Sequence, residues 1–106
     1  MNPGEPAAAL QRALALSQQL LIAADSGDVA TVAELDAERR RLLVSVRHEV
    51  QHLDADQRLV LREIAALNDQ ALGRMEHRLR AKARDLDMAC AGRRALHAYA
   101  ATRLQR

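Results

Sequence analysis

The chain has 106 residues and a formal net charge of +2, with one tyrosine and no phenylalanine or tryptophan. Its core must therefore be built from leucine, valine, isoleucine, methionine and alanine, and a length of this order suits one domain with a modest core. Four glycines and two prolines, both prolines before residue 7, are too few to punctuate a β-sheet, so the composition predicts an all-α protein.

The segment at residues 1–6 is predicted to be a disordered tail, because Pro3 and Pro6 oppose regular structure. Helix 1 is predicted over about residues 7–25. Its apolar positions recur at spacings of three and four, which indicates a helical face. This stripe contains Leu14, Leu16, Ser17, Leu20, Leu21 and Ala24.

A stop signal follows at Ser26-Gly27-Asp28. Gly27 can adopt the left-handed conformation that closes a helix, and Asp28 can accept from the free amides that open the next one. Helix 2 is predicted over about residues 29–53, and so short a connection makes the two helices antiparallel. Its apolar stripe contains Val32, Leu35, Leu42, Leu43 and Val46.

The charges of helix 2 are predicted on its outer side, where Glu34 and Glu38 precede a run of three arginines. Spacings of three to five residues between acids and bases support an exposed helix. The run Arg39–Arg41 could form a small anion site, but Asp36 and Glu38 lie beside it. We therefore interpret these charges as a solvated face.

Helix 2 also contains the motif His48-Glu49-Val50-Gln51-His52, the H-E-x-x-H pattern of zinc peptidases. On an α-helix both histidines would point about 200° to 240° away from Val46, towards solvent. Glu76 and His77 are the only plausible third ligands, on a helix whose partner face lies elsewhere. We expect no metal, no cofactor and no catalytic residue.

A capping box at Asp54 and Gln57 predicts the start of helix 3, which should exceed about 30 residues. Its apolar stripe shifts by one residue near Leu72, so its two halves should face different surroundings. The stripe contains Val60, Ile64, Leu67, Ala71, Leu72, Met75, Leu79, Leu86 and Cys90. The flanks of Leu79 are cationic, which is typical of a site for an amphipathic partner. These flanks are Arg78, Arg80, Lys82 and Arg84.

Gly92 is predicted to interrupt the chain before a short helix over about residues 93–104. A short alanine-rich helix is marginal alone, so it should form when docked and could act as a detachable lid. We predict a substrate-protein groove lined by Leu72, Met75, Leu79 and Leu86. The lid residues that fill it in the free state are Leu96, Ala100 and Leu104.

The predicted organisation is thus a three-helix core over residues 7–91 and a C-terminal helix over residues 92–106. The architecture is an antiparallel helical hairpin plus a long third helix and a short C-terminal helix, a three- or four-helix bundle. Charge divides unevenly along it: residues 1–73 hold seven Arg and eleven acids, whereas residues 74–106 hold nine Lys or Arg and three acids. Two interpretations of the positive charge at the C-terminal end stay open: cations on a solvated helix face and near helix C-termini, or a surface that binds an acidic partner.

Localisation is predicted to be cytoplasmic. The single Cys90 excludes an internal disulfide, which is natural in the reducing cytosol. No Lys or Arg precedes Arg12, and Ser17-Gln18-Gln19 breaks the apolar run behind it, so a secretory signal is not expected. No stretch approaches the roughly 18 to 20 apolar residues of a membrane span.

Two stretches carry a resemblance to a known family. The first is the leucine-serine-glutamine pattern at residues 16–18, a leucine pair and Gly27-Asp28; the second is Gly92-Arg93-Arg94-Ala95-Leu96-His97-Ala98-Tyr99. In this order the chain resembles FliT-type flagellar export chaperones over nearly its whole length. It departs from them at Val29, where many members carry an aromatic residue, and in a tail of only seven residues after Tyr99.

The resemblance implies a cytosolic type III flagellar export chaperone and not an enzyme. Similar proteins bind the C-terminal part of the filament-cap protein FliD, keep it monomeric and deliver it to the export gate FlhA. In that family the last helix restrains binding, and a tyrosine that corresponds to Tyr99 helps docking on the gate. Some members bind the export ATPase or the regulator FlhDC and so affect flagellar gene expression, and the sequence leaves both open here.

Alternatives from other classes stay open. A generic helical adaptor or a self-associating homodimer would use the same leucine stripes. A helical enzyme of the chorismate mutase kind would need Arg39, Arg58 and Lys82 to converge, whereas most basic residues are predicted opposite the apolar stripes. The basic C-terminal third could bind nucleic acid, but Tyr99 is the only stacking aromatic, so we expect no specific recognition.

Overall fold

The computed structural model describes residues 4–104, which form three α-helices and one 3₁₀ segment. Their order is α1 (Gly4–Ser26), α2 (Val29–Val46), the 3₁₀ segment (Arg47–His52) and α3 (Ala55–Leu104). The all-α class is confirmed, with α1 packed against α2 and α3. The chain divides into a first unit that ends at Met75 and a second unit that begins at Glu76.

The predicted turn between α1 and α2 is confirmed. Gly27 has φ of 76°, the left-handed region that only glycine enters readily. Its N–H donates to Ala24 O at 3.2 Å, and the Asp28 N–H donates to Ala23 O at 3.0 Å, so carbonyls at the end of α1 are satisfied. The chain therefore reverses through two residues.

Asp28 caps α2 as predicted. Its Oδ1 accepts from the Thr31 N–H at 3.2 Å and its Oδ2 accepts from Thr31 Oγ1 at 2.6 Å. The side-chain hydrogen bond, followed by the backbone one, holds the pKa of the Asp28 carboxyl below its usual value. Both bonds favour the charged form, which also complements the positive end of the helix dipole.

The predicted α-helix through Leu53 is wrong in its last part, because α2 ends at Val46 and a 3₁₀ segment follows. Ser45 Oγ donates to Leu42 O at 2.6 Å in the last turn, and the Arg47 N–H bonds Val44 O, three residues back. Backbone hydrogen bonds between residues three apart, as in a 3₁₀ helix, are common at the ends of α-helices. The chain then becomes extended at Leu53, with ψ of 138°.

The predicted capping box at the start of α3 is confirmed. The Asp54 N–H donates to Gln57 Oε1 at 3.0 Å, and the Gln57 N–H donates to Asp54 Oδ1 at 2.8 Å. Each side chain thus satisfies a backbone donor of the other residue, which fixes the first turn.

The core of the first unit consists of two clusters in which all three helices take part. One cluster buries Leu10, Ala13, Val46, Leu53 and Ile64. The other buries Leu20, Ala23, Ala24, Val32 and Ala71. The predicted α1 stripe is buried or half-buried, including Ser17, whose hydroxyl donates to Ala13 O at 2.8 Å. The alanines allow the close helix approach that an aromatic-free core requires.

Two ion pairs flank these clusters. Arg12 of α1 pairs with Glu38 of α2 at 3.2 Å, and Arg74 of α3 pairs with Asp25 of α1 at 2.5 Å. All four side chains are well exposed, so each pair contributes only about 0 to 1 kcal/mol. Burial of the apolar stripes therefore dominates the packing of this unit.

The prediction of a separate C-terminal helix is wrong, because α3 continues through Gly92 to Leu104. One glycine in a helix interior costs only about 1 kcal/mol relative to alanine. Ala91 before it and Arg93, Arg94 and Ala95 after it are good helix formers, and no proline or capping residue adjoins it. Gly92 therefore weakens the helix without ending it.

The other end of the chain also differs from expectation. Helix α1 begins at Gly4, earlier than the predicted residue 7, and Pro6 lies in its first turn, where a missing N–H costs no intrahelical bond. The remainder of the predicted tail, residues 1–3, lies outside the described residues.

Candidate partner-binding site

The first unit contains a cavity of about 300 Å³ that is lined mainly by residues of α2 and α3 and also by Leu20 of α1. Most of its wall is apolar: Leu20, Val29, Val32, Ala71, Leu72 and Met75 contribute to it. Four charged or amide side chains lie beside this apolar surface: Asp36, Arg39, Arg40 and Asn68. The cavity can thus receive an apolar group and place a polar one against a guanidinium.

Arg39 is the buried member of this group, with only 6% of its surface exposed. Its Nη2 donates to Asp36 Oδ1 at 2.5 Å and to Asn68 Oδ1 at 2.8 Å. Its Nε and Nη1 are closed to solvent and find no acceptor in the part of the chain that the structure describes. Asp36 also forms an ion pair with Arg40, with 2.9 Å between Asp36 Oδ2 and Arg40 Nε, so one carboxylate serves two guanidinium groups.

The expectation that Arg39 lies on the outer side of α2 is wrong. Position 39 continues the three-and-four spacing of the α2 stripe, between Leu35 and Leu42, and therefore faces the core. Asn68 of α3 likewise lies four residues after the buried Ile64 and three before the buried Ala71, so it also faces the core. The spacing alone places both residues in the stripes, although their polarity is not typical of stripe positions.

The predicted groove residues fall in both units. Leu72 and Met75 line the cavity of the first unit, where Met75 also packs against buried core residues. Leu79, at 66% exposure, and Leu86 are exposed side chains of the second unit. Their proposed binding role stays a prediction, and the structure adds Arg39 and Asn68 beside the first pair.

The predicted lid residues do not cover Leu79 in this structure. Leu96 is 69% exposed and lies on the same continuous helix, about 25 Å along the axis at 1.5 Å per residue. Ala100 is exposed, and the side chain of Leu104 lies outside the described residues. Tyr99, predicted to dock on the export gate, is also exposed.

The second unit presents a basic surface. Between Glu76 and Arg103 every side chain is exposed except the half-buried Ala81. Seven of these residues are Lys or Arg and three are Asp or Glu, and one ion pair joins Arg80 to Glu76 at 3.2 Å. Exposed leucines beside unneutralised cations suit a partner segment that is both apolar and acidic.

The H-E-x-x-H motif lies in the 3₁₀ segment, not on an α-helix. A 3₁₀ helix turns about 120° per residue, so residues four apart diverge by about 120°, whereas on an α-helix they share a face. His48 and His52 are exposed, and the described residues hold no group of three or more His, Cys, Asp or Glu close enough to bind a metal. The motif thus lacks the geometry of a zinc peptidase site.

The three residues that an enzyme of the chorismate mutase kind would need have separate environments. Arg39 is buried beside the cavity, Arg58 Nε donates to Leu53 O at 3.1 Å in the first unit, and Lys82 is exposed in the second. Arg58 does not line the cavity that Arg39 lines. This cavity therefore does not combine the two arginines.

Comparison with known proteins identifies one family. The family model described as Flagellar protein FliT matches residues 7–101. No curated protein and no solved structure matches the chain. Within the described residues, none of the helices combines the length and the apolar character needed to cross a membrane.

Proposed function

The chain belongs to the FliT family of flagellar proteins, and we propose that it binds the C-terminal part of the filament-cap protein FliD. Membership gives it a flagellar export chaperone role in a family that is not enzymatic. The proposal adds that it acts in the cytosol, keeps FliD monomeric and delivers it to the export gate FlhA. We call the FliD segment the cargo.

The observation that supports cargo binding is the exposure of a leucine series on α3. Leu79 and Leu86 of the second unit, which we call the leucine series, lie seven residues apart and are both exposed. A seven-residue repeat drifts by only about 20° per repeat on a straight helix, so it presents nearly one face to an amphipathic partner segment. Large apolar side chains in such a series mark an interaction surface.

We propose in addition that residues 92–106 act as a lid that competes with cargo. Gly92 is the weakest interior position of the second half of α3 by helix propensity, so a bend costs least there. After such a bend Leu96, Ala100 and Leu104 would cover the leucine series. The continuous α3 then corresponds to the open form.

The deciding experiment is calorimetric titration of a C-terminal FliD fragment from the same host into two proteins, the full chain and a version that ends at Ala91. Circular dichroism first establishes that both are helical. Binding to both, tighter to the shorter one, supports the chaperone and the lid. Equal binding supports the chaperone and removes the lid, and absence of binding to two well-folded proteins overturns the cargo assignment.

Docking on FlhA is the second part of the proposal, and it assigns the contact to Tyr99. This side chain is the only aromatic of the chain and is exposed, so it can enter a pocket on another protein. Contacts with the export ATPase and with FlhDC, which would add regulation of flagellar genes, belong to the same proposal. Pull-down of each purified partner by the chaperone–cargo complex tests them one by one.

The alternative function is a helical adaptor that self-associates through the leucine series. The same seven-residue spacing favours a coiled-coil homodimer. The excess of positive charge between Glu76 and Arg103 opposes it, because two copies would bring like charges together. Sedimentation equilibrium without cargo separates the two functions, since a dimer would double the measured mass.

A further inference from the structure

We infer that Arg39 forms a recognition subsite in the cavity of the first unit, where it binds a carboxylate carried by the cargo. The inference rests on the proposed function for the identity of the cargo and adds the chemistry of one contact. The bound segment places apolar side chains against Leu72 and Met75 and an aspartate or glutamate against the guanidinium.

The first observation is a pair of buried donors that lack acceptors. Arg39 Nε and Nη1 are closed to solvent and unpaired among the described residues, while Nη2 alone makes the bonds to Asp36 and Asn68. A buried charged donor without an acceptor is costly, and such groups are rare in native proteins. A ligand that brings an acceptor removes this cost, so the free protein is prepared for one.

The second observation is the charge balance around the cavity. Among the described residues, Asp36 is the single carboxylate bonded to Arg39, and it also pairs with Arg40, so two positive groups share one negative group. Asn68 supplies a neutral oxygen. The local excess is therefore one positive charge beside an apolar wall, and low polarity strengthens a charge-assisted hydrogen bond.

The third observation is the position of this polar group. Arg39 and Asn68 occupy stripe positions on facing helices, where well-packed apolar residues of similar volume are often as stabilising as buried charged and polar groups. Stability alone does not explain an arginine there. Recognition does, because an arginine in the cavity wall selects cargo segments that pair an acid with apolar residues.

In this inference the cargo reaches the two nitrogens through small movements of side chains at the cavity wall. Leu72 is half-exposed, and Met75 has three flexible torsions and a polarizable thioether that adapts to a ligand. Cargo entry shifts these two side chains and brings its carboxylate to Arg39. The cavity of about 300 Å³ already lies beside Arg39 and offers room for the apolar part of the cargo.

The test titrates two cargo probes into the full-length chain and into its Arg39→Met variant. One probe is the C-terminal FliD fragment, and the other is the same fragment with every Asp and Glu changed to Asn and Gln. We expect Arg39→Met to weaken binding of the first probe at least about tenfold, because one charge-assisted hydrogen bond is lost. The affinity for the second probe should change about twofold or less.

Arg41→Met is the matched control. It removes the same charge from the same helix, at an exposed side chain that does not line the cavity. We expect both probes to bind this variant within about twofold of the unaltered chain, because an exposed charge contributes little. Equal weakening by Arg39→Met and Arg41→Met would overturn the subsite, since it would trace the effect to overall charge.

A second variant distinguishes loss of binding from loss of folding. Arg39→Met with Asn68→Leu removes both partners of the buried bond, and such paired apolar replacement is close to neutral for stability. It should stay helical and show the same selective loss of the acidic probe. Undiminished binding of that probe to either folded variant overturns the inference alone, whereas no binding to the unaltered chain overturns the proposed function on which it rests.

Discussion

Arg39 of α2 donates a hydrogen bond from Nη2 to Oδ1 of Asn68 of α3 at 2.8 Å, in a part of the interface where the neighbouring stripe residues are apolar. Because Arg39 is buried, loss of this acceptor leaves a charged donor less satisfied. We predict that Asn68→Leu lowers the free energy of unfolding by about 1 to 3 kcal/mol, measured by urea denaturation.

The Arg39→Met and Asn68→Leu double variant is the control for that prediction. It removes donor and acceptor together and should recover most of the loss, because no orphaned charge remains. If Asn68→Leu alone is as stable as the unaltered chain, the hydrogen bond does not stabilise the packing of α2 on α3.

Leu79→Asp should abolish cargo binding and leave the helical content unchanged. The side chain is 66% exposed in the second unit, so its replacement creates no cavity, whereas a carboxylate in the leucine series repels an apolar segment. Calorimetry measures binding, and far-ultraviolet circular dichroism measures helicity.

Met88→Asp serves as the matched substitution. Met88 is 72% exposed and lies nine residues further along α3, on the opposite side of the helix at about 100° per residue. Cargo should bind this variant about as well as the unaltered chain. If Leu79→Asp loses binding and helicity together, Leu79 is part of the core and not of the binding surface.

Gly92→Ala should tighten cargo binding by about fivefold if the lid bends at this residue. An added Cβ meets nothing within 4 Å, and alanine stabilises a helix interior by about 1 kcal/mol relative to glycine. The straight, open form of α3 is then favoured over the bent one.

Gly73→Ala provides the comparison, because Gly73 is also interior to α3 with open space around its Cα. Both variants should raise helical stability, but only Gly92→Ala should change cargo affinity through the lid. Equal affinity changes in the two variants would argue against a bend at Gly92.

Tyr99→Ala should weaken capture of the chaperone–cargo complex by the cytosolic domain of FlhA and leave cargo affinity unchanged. The exposed ring is the largest apolar group near the end of α3, and burial of such a ring dominates many interfaces. We expect a loss of about tenfold or more in a surface-plasmon-resonance assay. Tyr99→Phe keeps the ring and should retain most of the affinity, and a complete loss in this variant would assign the contact to the hydroxyl.

The Asp28 cap should make stability depend on pH in the acid range. Its hydrogen bonds with Thr31 lower the pKa of the folded carboxyl below that of the unfolded one, so the carboxylate stabilises the fold above the unfolded value. This contribution is lost as the pH falls through the lowered pKa, below about pH 4.

Asp28→Asn tests that dependence, because asparagine caps a helix without titrating. The melting temperature of the unaltered chain should exceed that of the variant at pH 7, and the difference should shrink as the pH falls below about 4. A difference that stays constant with pH would mean that the charge of Asp28 does not stabilise the cap.

The turn and both helix caps lie where local sequence signals predict them. Gly27, Asp28 and the pair Asp54 and Gln57 act through bonds to residues at most five positions away, so their neighbours in the sequence suffice to predict them. The same signals failed at Gly92, because a lone glycine without a capping partner costs too little to end a helix.

The candidate site was only half predictable. Leu72 and Met75 were found from periodicity, since apolar residues at helical spacing must be covered by something. Arg39 was missed, because its burial depends on Asp36 and on an asparagine 29 residues away. Polar residues in a stripe become acceptable only when a facing element supplies their hydrogen-bond partners.

The sequence by itself determined the all-α class, the hairpin and the family, because composition, apolar spacing and capping residues are short-range properties. Tertiary structure alone decided that Arg39 enters the interface between α2 and α3 and that two of its nitrogens stay without acceptors. The physical reason is that burial and hydrogen bonding of a long polar side chain depend on which surfaces the packed helices bring together.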